Sequence, residues 1–425
     1  MKHSSKPTLL ILTSSFPASP SDESCGYIRD FARSLSEAFD VEVLAPPDTR
    51  AIECAVDLFK LTRSISAIPF GLDPFQAGDD LNQLASGGFL SKLCSLPSLL
   101  CFLARAFAMT LRADAVCSHW LIPSGLVGAL VSRFLGKPHI VVEHSGALHL
   151  LGRSHAGKTI ARFITANSER VVVVSADLKR KLVAMCPGAG EKIEVIPMGI
   201  TAMAATGLAA RARLSEHGLI PASVHSLRVG RTILFIGRLT VIKGLDLLLI
   251  ALKDINNVHL MVAGDGEKRI ELETLARELS VSATFVGRVA ALERDALLSS
   301  CDAVAIPSRA LAAGRTEGTP VVCLEALAAG CVVVASRTGG LVDVIVDGEN
   351  GLLFEPGDHR MLRKKLILAL GDDGLRQTLS ENARCSAAAY DWARIGARFS
   401  RIVASSLETN GKPHNKRIEA GGVCR

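Results

Sequence analysis

AVAIPSRALAAGRTEGTPVVCLEALAAGCVVVA, residues 303–335, opens on an apolar run, crosses a polar loop from Arg309 to Glu317, and resumes as an apolar segment from Val321 to Ala329. Gly330 then closes that segment and Val332 to Ala335 is a second short apolar run. This reads as strand, loop, helix, strand, with neither strand alternating polar and apolar residues. Strands without alternation are covered on both faces, so the unit belongs to a parallel sheet under helices. Thr319 suits the helix N-cap and Pro320 the first helical position. The free amide groups and positive dipole end of that helix then face the loop, ready for phosphate oxygens or sugar hydroxyls.

Upstream the same alternation runs through Thr232–Ile236, Val258–Ala263 and Thr284–Val286, all separated by helical segments. A separate series begins at Thr8–Thr13 and continues at Val41–Leu44, Ala115–Ser118, His139–Glu143, Arg170–Ser175 and Glu194–Ile196. With 425 residues the chain exceeds what one core usually serves. The expected architecture is α/β, with two Rossmann-like domains facing each other across a cleft. Residues 1–200 form the first domain, 201–230 a connection with one short helix at Ala205–Leu214, and 231–385 the second domain. A closing helix is expected within 386–406, at Asp391–Ser406, and a disordered tail over 407–425. Such open sheets bind ligands in loops beyond the C-terminal ends of their strands.

Composition narrows the function classes. The chain is 48% hydrophobic and 4% aromatic, which excludes an extended disordered protein. A net charge of +6 from 48 basic and 42 acidic residues is spread along the chain, without the arginine clusters and interleaved aromatics of a nucleic-acid groove. No nucleic-acid partner is expected. Eleven cysteines include no C-x-x-C pair; Cys94, Cys101, Cys323 and Cys331 sit in apolar runs, read as reduced, structural thiols of a cytoplasmic protein. Lys2 and Lys6 precede the apolar stretch Leu9–Leu12, which is too short for a signal peptide. No uninterrupted apolar run reaches the roughly 18 residues of a membrane span. The segment 88–112 is nevertheless strongly apolar, with Lys92, Arg105 and Arg112 nearby. It suits a peripheral membrane contact as well as a buried helix interrupted by Pro97.

Carboxylates and cations cluster at the loops. Glu317 and Glu325 stand eight residues apart on either side of the helix start. Carboxylates accept hydrogen bonds from diols, so the pair suits polyol recognition; a capping acid and a solvated helix residue are the plainer reading of any one such pair. Gly237-Arg238-Leu239 and Lys243-Gly244 follow a strand and place two cations where they could meet one diphosphate or remain surface charges. Gly264-Asp265-Gly266, Gly287-Arg288-Val289 and Thr338-Gly339-Gly340 repeat the glycine-rich turn. Glu143-His144-Ser145-Gly146 ends a strand of the first domain, and His144 there suits either a sugar hydroxyl or a structural hydrogen bond.

Taken jointly these motifs resemble family 4 of the retaining glycosyltransferases. Gly237-Arg238 with Lys243-Gly244, Gly264-Asp265-Gly266, Phe285-Val286-Gly287, Glu317-Gly318-Thr319-Pro320 through Glu325 to Gly330, Gly339-Gly340 and Asp347-Gly348-Glu349-Asn350-Gly351 match its order and spacing, including the E-x7-E signature. Phe16-Pro17 and Gly26, His119-Trp120 with Pro123 and Gly125, and the hinge-like Val195–Ile200 extend the resemblance into the first half. The departures are Cys25 beside Gly26, where two glycines are common in the family, and Met198, where asparagine is commoner.

The resemblance implies a GT-B fold whose first domain takes the acceptor and whose second binds a nucleoside-diphosphate sugar. It implies His144, Glu317, Arg238 and Lys243 as catalytic residues. The donor would be held by Gly26, Arg238, Lys243, Gly264, Val289, Glu317, Gly318, Thr319, Pro320 and Glu325, with Glu325 on the ribose and the base near Gly264 and Val289. No metal or other cofactor is expected, because the cations and the helix start take the leaving group's charge. The implied reaction passes a sugar to a hydroxyl of a carbohydrate or lipid-linked acceptor with retention, in polysaccharide or glycolipid synthesis. The alternatives are a nucleotide-sugar epimerase of related fold and a non-catalytic nucleotide-sugar binder.

Overall fold

The computed structural model describes residues 6–19, 22, 25–48, 58–64, 89–201, 231–311 and 314–410, with backbone only over 89–96. The expected connecting helix Ala205–Leu214, the side chain of Cys94 and the tail beyond residue 410 lie outside the described residues. β1 (Thr8–Leu12) is apolar at nearly every position because both its faces are covered. Leu9 and Ile11 pack with Ile28 and Phe31 of helix Gly26–Leu35, while Leu10 and Leu12 meet Phe102, Ala106 and Met109 on the opposite side. Each fully buried Leu or Ile contributes about 2 kcal/mol.

Among the described residues the first sheet runs β3-β2-β1-β4-β5-β6-β7, all parallel, with β2 Asp40–Ala45, β3 Lys60–Arg63, β4 Ala115–His119, β5 His139–Glu143, β6 Arg170–Val173 and β7 Ile193–Val195. The second runs β10-β9-β8-β11-β12-β13, with β8 Arg231–Ile236, β9 Val258–Ala263, β10 Ala283–Gly287, β11 Ala303–Ile306, β12 Val332–Ser336 and β13 Leu352–Phe354. β8 repeats the two-faced burial of β1, sending Ile233 and Phe235 to one core and Leu234 to the other. Strand order reverses at β1/β4 and at β8/β11, and open α/β sheets form their binding crevices at such reversals. Two strands appear that the sequence reading did not contain, β3 and β13. β3 is a partly exposed edge and β13 only three residues long.

The chain's last helix, Trp392–Thr409, returns to the first domain. Phe399 meets Phe31 edge-on at 4.8 Å, and Trp392 also contacts that ring. The helix passes its expected end at Ser406 because Leu407 is buried in the same core. Helix Phe89–Thr110 buries Phe102, Ala106 and Met109, while Leu100 and the following Leu111 remain more than half exposed. Buried Cys117 and Cys323 have their thiols pushed up to about 12 by burial, so they remain protonated.

His139 lies 1% exposed between Ser118 and Ser168, whose hydroxyls meet its two ring nitrogens at 2.9 Å each. Burial pushes its pKa down from 6.5 to about 3. Between those values the unfolded chain binds a proton that the folded chain refuses, so stability falls as pH drops through that window. Near pH 5 the loss is about 2 kcal/mol for this residue. His139→Gln is expected to flatten the decline in denaturation midpoint between neutral pH and pH 5; a decline as steep as in the unaltered chain would show that His139 is not responsible.

Candidate active site

The carboxylate of Glu143 organises the loop after β5. It accepts backbone N–H bonds from Leu121 at 2.9 Å, Ser145 at 2.8 Å and Leu148 at 3.2 Å. Burial raises its pKa while these donors oppose the rise. Ser145 is held at φ 129°, a conformation L-residues rarely adopt. The loop so fixed presents His144, whose Nε2 lies 3.0 Å from Nδ1 of the fully buried His119. Burial pushes His144 down to about 3 and His119 well below its ordinary value, so both rings are neutral. Among the described residues Nε2 of His119 has no hydrogen-bond partner. A bare lone pair is the cheaper orphan, so His119 donates from Nδ1 and His144 keeps its own proton on Nδ1. Tyr27 and Trp120 flank the His144 ring at 5.2 and 5.0 Å.

The loop after β11 closes on this one from the second domain. Ser145 Oγ donates to the Thr316 carbonyl at 2.6 Å, and Thr319 Oγ1 donates to the Val174 carbonyl at 2.6 Å. Thr319 is therefore not the helix cap that the sequence suggested: its hydroxyl serves the carbonyl beyond β6, and Pro320 (φ −61°, ψ 123°) itself occupies the N-cap of helix Val321–Ala329. No side chain caps that helix, so the positive end of its dipole is not offset there. Gly318 passes so close to the first domain that a Cβ would lie 2.6 Å from the His144 carbonyl oxygen and from Val174 Cγ2.

Glu317 is 12% and Lys243 19% exposed, and they form an ion pair at 2.5 Å. Ser308 Oγ donates to the other Glu317 oxygen. Lys243 thus turns onto Glu317, whereas the sequence placed it with Arg238. The charge of Arg238 reaches Cys25 and Tyr27 at the start of helix Gly26–Leu35, where it acts to lower both pKa values against the larger effect of burial. Gly26 is that helix's first residue, and Cys25 before it takes the left-handed conformation, φ 58° and ψ 28°, that glycine adopts without cost. Its thiol, bonded to Ser15 and Tyr27, has its pKa raised by burial.

Glu325 pairs with Arg294 at 3.1 Å, a partner from helix Ala291–Ser300 that no motif announced. Gly264, at φ 131°, lets the loops after β8 and β9 touch, since a Cβ there would lie 2.0 Å from the Gly237 oxygen. Val289 is half-buried against the second core. The structure therefore brings His144, Glu317, Lys243 and Gly318 together across the cleft, with Glu325 on Arg294 and Arg238 within electrostatic reach of Cys25 and Tyr27. Glu143, His119 and Arg294 are the supporting residues sequence reasoning missed. Glu143 and His119 fell within quoted motifs, but their partners are distant in the chain.

Residues 227–385 match the family described as glycosyl transferases group 1, and residues 26–202 match Glycosyltransferase Family 4. The D-inositol 3-phosphate glycosyltransferase of Xylanimonas cellulosilytica is 29% identical over 90% of this chain and 91% of its own. An uncharacterized glycosyltransferase of Methanocaldococcus jannaschii is 29% identical over 66% of this chain and 72% of its own. Among solved structures, sucrose-phosphate synthase from Thermosynechococcus elongatus superposes with a TM-score of 0.77 at 21% identity, covering 95% of this chain and all of that one. Anabaena HepE in complex with UDP and glucose superposes at 0.72 with 19% identity, covering 94% of this chain and all of that one. Both share the two-domain GT-B architecture seen here. With one family match in each domain, together covering most of the chain, and the sheets and cleft of that fold, the chain belongs to glycosyltransferase family 4.

Proposed function

We propose that this glycosyltransferase transfers a sugar from a nucleoside-diphosphate sugar to an acceptor hydroxyl with retention at the anomeric carbon, in polysaccharide or glycolipid synthesis. The observation carrying the reading is the Lys243–Glu317 pair beside an uncapped helix start and across from neutral His144. Lys243 and Arg238 meet the charge of the departing diphosphate, where each well-placed donor is worth about 3 kcal/mol in the transition state. Glu317 and the Nδ1–H of His144 take sugar hydroxyls, and Glu325 takes the ribose diol while Arg294 holds it. The bond from anomeric carbon to diphosphate oxygen breaks, the acceptor oxygen bonds to the same face, and its proton passes to the leaving phosphate oxygen. The HepE complexes with UDP and UDP-glucose support testing uridine diphosphate donors first.

Purified protein should gain on the order of 2–4 °C in melting temperature from one nucleotide sugar of a uridine, guanosine and adenosine diphosphate panel at about a hundred times its Kd. Lys243→Ala and Glu325→Gln should abolish that gain; stabilisation by no donor, or stabilisation unaffected by both changes, would refute the donor site. Gly318→Ala tests closure: its new Cβ forces the domains apart, so turnover should fall about 100-fold while nucleoside diphosphate still binds. Normal turnover in that variant would show that the interdomain contact is dispensable.

A second reading concerns where the acceptor is met. Among the described residues no helix is long and apolar enough to cross a membrane. The outer face of helices Phe89–Thr110 and Leu126–Leu135 nevertheless exposes Leu100, Leu111 and Leu130, with Phe134 78% exposed. Arg105, Arg112 and Arg133 are exposed alongside. Within 97–112 Leu100 and Leu111 are thus exposed while Phe102, Ala106 and Met109 belong to the core; the side chains of 88–96 lie outside the described residues. We infer that the face rests on an anionic membrane surface, where each basic residue adds about 1 kcal/mol. Cosedimentation with phosphatidylglycerol-containing vesicles should fall with salt and in Phe134→Ser; binding indifferent to both would exclude this face.

A further inference from the structure

Thr316 stands in the loop after β11 of the second domain, and three side chains of the first domain hold it. Ser145 Oγ donates to its carbonyl at 2.6 Å, its own hydroxyl donates to Asp177 Oδ2 at 2.8 Å, and Lys181 Nζ donates to that hydroxyl at 2.8 Å. A carboxylate only accepts and an ammonium only donates, so the single hydroxyl proton has one direction open to it. Asp177 and Lys181 are one turn apart on helix Ala176–Met185 and also bond each other, which closes the three groups into a ring. Lys181 extends the grip to the Gly314 carbonyl at 2.8 Å. Two of the bonds on Thr316 involve an ionised partner and belong to the stronger class. Among short side chains only threonine and serine place such a donor and acceptor on one oxygen.

Glu317 follows directly in the chain. Its carboxylate is fixed from the second domain, by Lys243 and Ser308. Its backbone is bracketed by two residues that face the first domain: Thr316 before it, and Gly318 after it, where a Cβ would lie 2.6 Å from the His144 carbonyl oxygen. Losing the bonds of Thr316 frees one side of that bracket. A carboxylate displaced with its backbone loses hydrogen bonds, whose strength falls steeply with distance and angle. We propose that Thr316 is a positioning residue: its hydroxyl, held between Asp177 and Lys181, sets where Glu317 stands against the donor sugar in the closed cleft. Thr316 acts through its neighbour and not on the substrate. The assignment rests on the transferase reading above, in which Glu317 takes sugar hydroxyls while Arg238, Lys243 and Glu325 take the nucleoside diphosphate. Its effect therefore falls on the sugar half of the donor.

Hydrogen–deuterium exchange and donor titration of the full chain test this. Thr316→Val keeps the side chain's shape and removes its hydroxyl. Without ligand, the amides of residues 314–318 and of the first turn of helix Ala176–Met185 should exchange about tenfold faster in that variant, and within about threefold of the unaltered chain in Thr316→Ser. Calorimetric titration then compares UDP-glucose, GDP-mannose and ADP-glucose, each with its own nucleoside diphosphate. For the pair that binds, the ratio of nucleotide-sugar Kd to nucleoside-diphosphate Kd should rise about tenfold in Thr316→Val, the loss expected for one charge-assisted bond. The nucleoside diphosphate's own Kd should stay within about twofold, and Thr316→Ser should restore the ratio. The proposal is overturned if Thr316→Val leaves the exchange or the ratio unchanged, if Thr316→Ser fails to restore them, or if both ligands weaken together, which is the mark of a loosened fold. If no probe binds the unaltered chain, the donor reading falls and this proposal with it; binding with an unchanged ratio sinks this proposal alone.

Discussion

The near-contact between Gly318 and the backbone at His144 sets the geometry of the whole cleft. A methyl group at residue 318 would overlap the His144 carbonyl, so the approach of the domains depends on that residue having no side chain. Among the described residues the hydrogen bonds around it run from Ser145 to Thr316, Thr316 to Asp177, Thr319 to Val174, Lys181 to Gly314 and Thr316, and the Ala176 amide to Asp343, with Val321 packed on the first core. Net hydrogen bonds contribute about 1 kcal/mol each, so this set holds the domains together only weakly compared with a core. Interfaces of this polar kind ordinarily permit relative motion of domains. His144, Glu317, Lys243 and Gly318 are thus brought together by an interface that a ligand spanning both domains is able to stabilise.

The same loop carries the charge pairing. Glu317 and Lys243 neutralise one another at low exposure, and Ser308 occupies the remaining oxygen. Drawing Lys243 onto a diphosphate would leave Glu317 buried and uncompensated, a costly state. With the proposed donor, sugar hydroxyls would relieve it, so a diphosphate and a sugar arriving as one molecule would satisfy both partners where either alone would satisfy one. Neutral His144 fits this arrangement, since a second cation there would compete with Lys243 for the carboxylate. Glu143 makes that possible without touching the cleft, because its three backbone bonds hold the loop that carries the ring.

Most of the fold was legible because its strands are buried on both faces. Runs such as TLLIL and TILFI have no polar alternation, and that pattern alone implies a covered parallel sheet. β3 escaped because KLTR lies at an exposed edge and has the composition of a loop. β13 escaped because three residues are too few to show a period. The return of helix Trp392–Thr409 to the first domain was not legible either. Its amphipathic pattern announces a buried face but not the Phe31 ring that covers it, more than 350 residues away in the chain.

The site divides along the same line. Glu317, Gly318 and Glu325 stood out as candidates because a short motif carries them on a single loop and helix, where spacing along the chain determines position in space. Thr319 was misjudged for the complementary reason: its local context is that of a helix cap, and only the first domain's Val174 carbonyl shows where the hydroxyl goes. Arg294 on Glu325, and His119 behind His144, are pairings between separate elements. A charge or ring in an ordinary helix or strand carries no sign of its partner, so residues that tune a site from behind are visible only when the sheets have been folded together. Cys25 lies between these cases. The sequence marks it as a departure from the glycine expected there, and the structure shows the left-handed turn it adopts regardless, with its thiol held by Ser15 and Tyr27. Bonds of that kind offset the cost of a left-handed conformation, which is why the position tolerates a side chain that the local backbone alone disfavours.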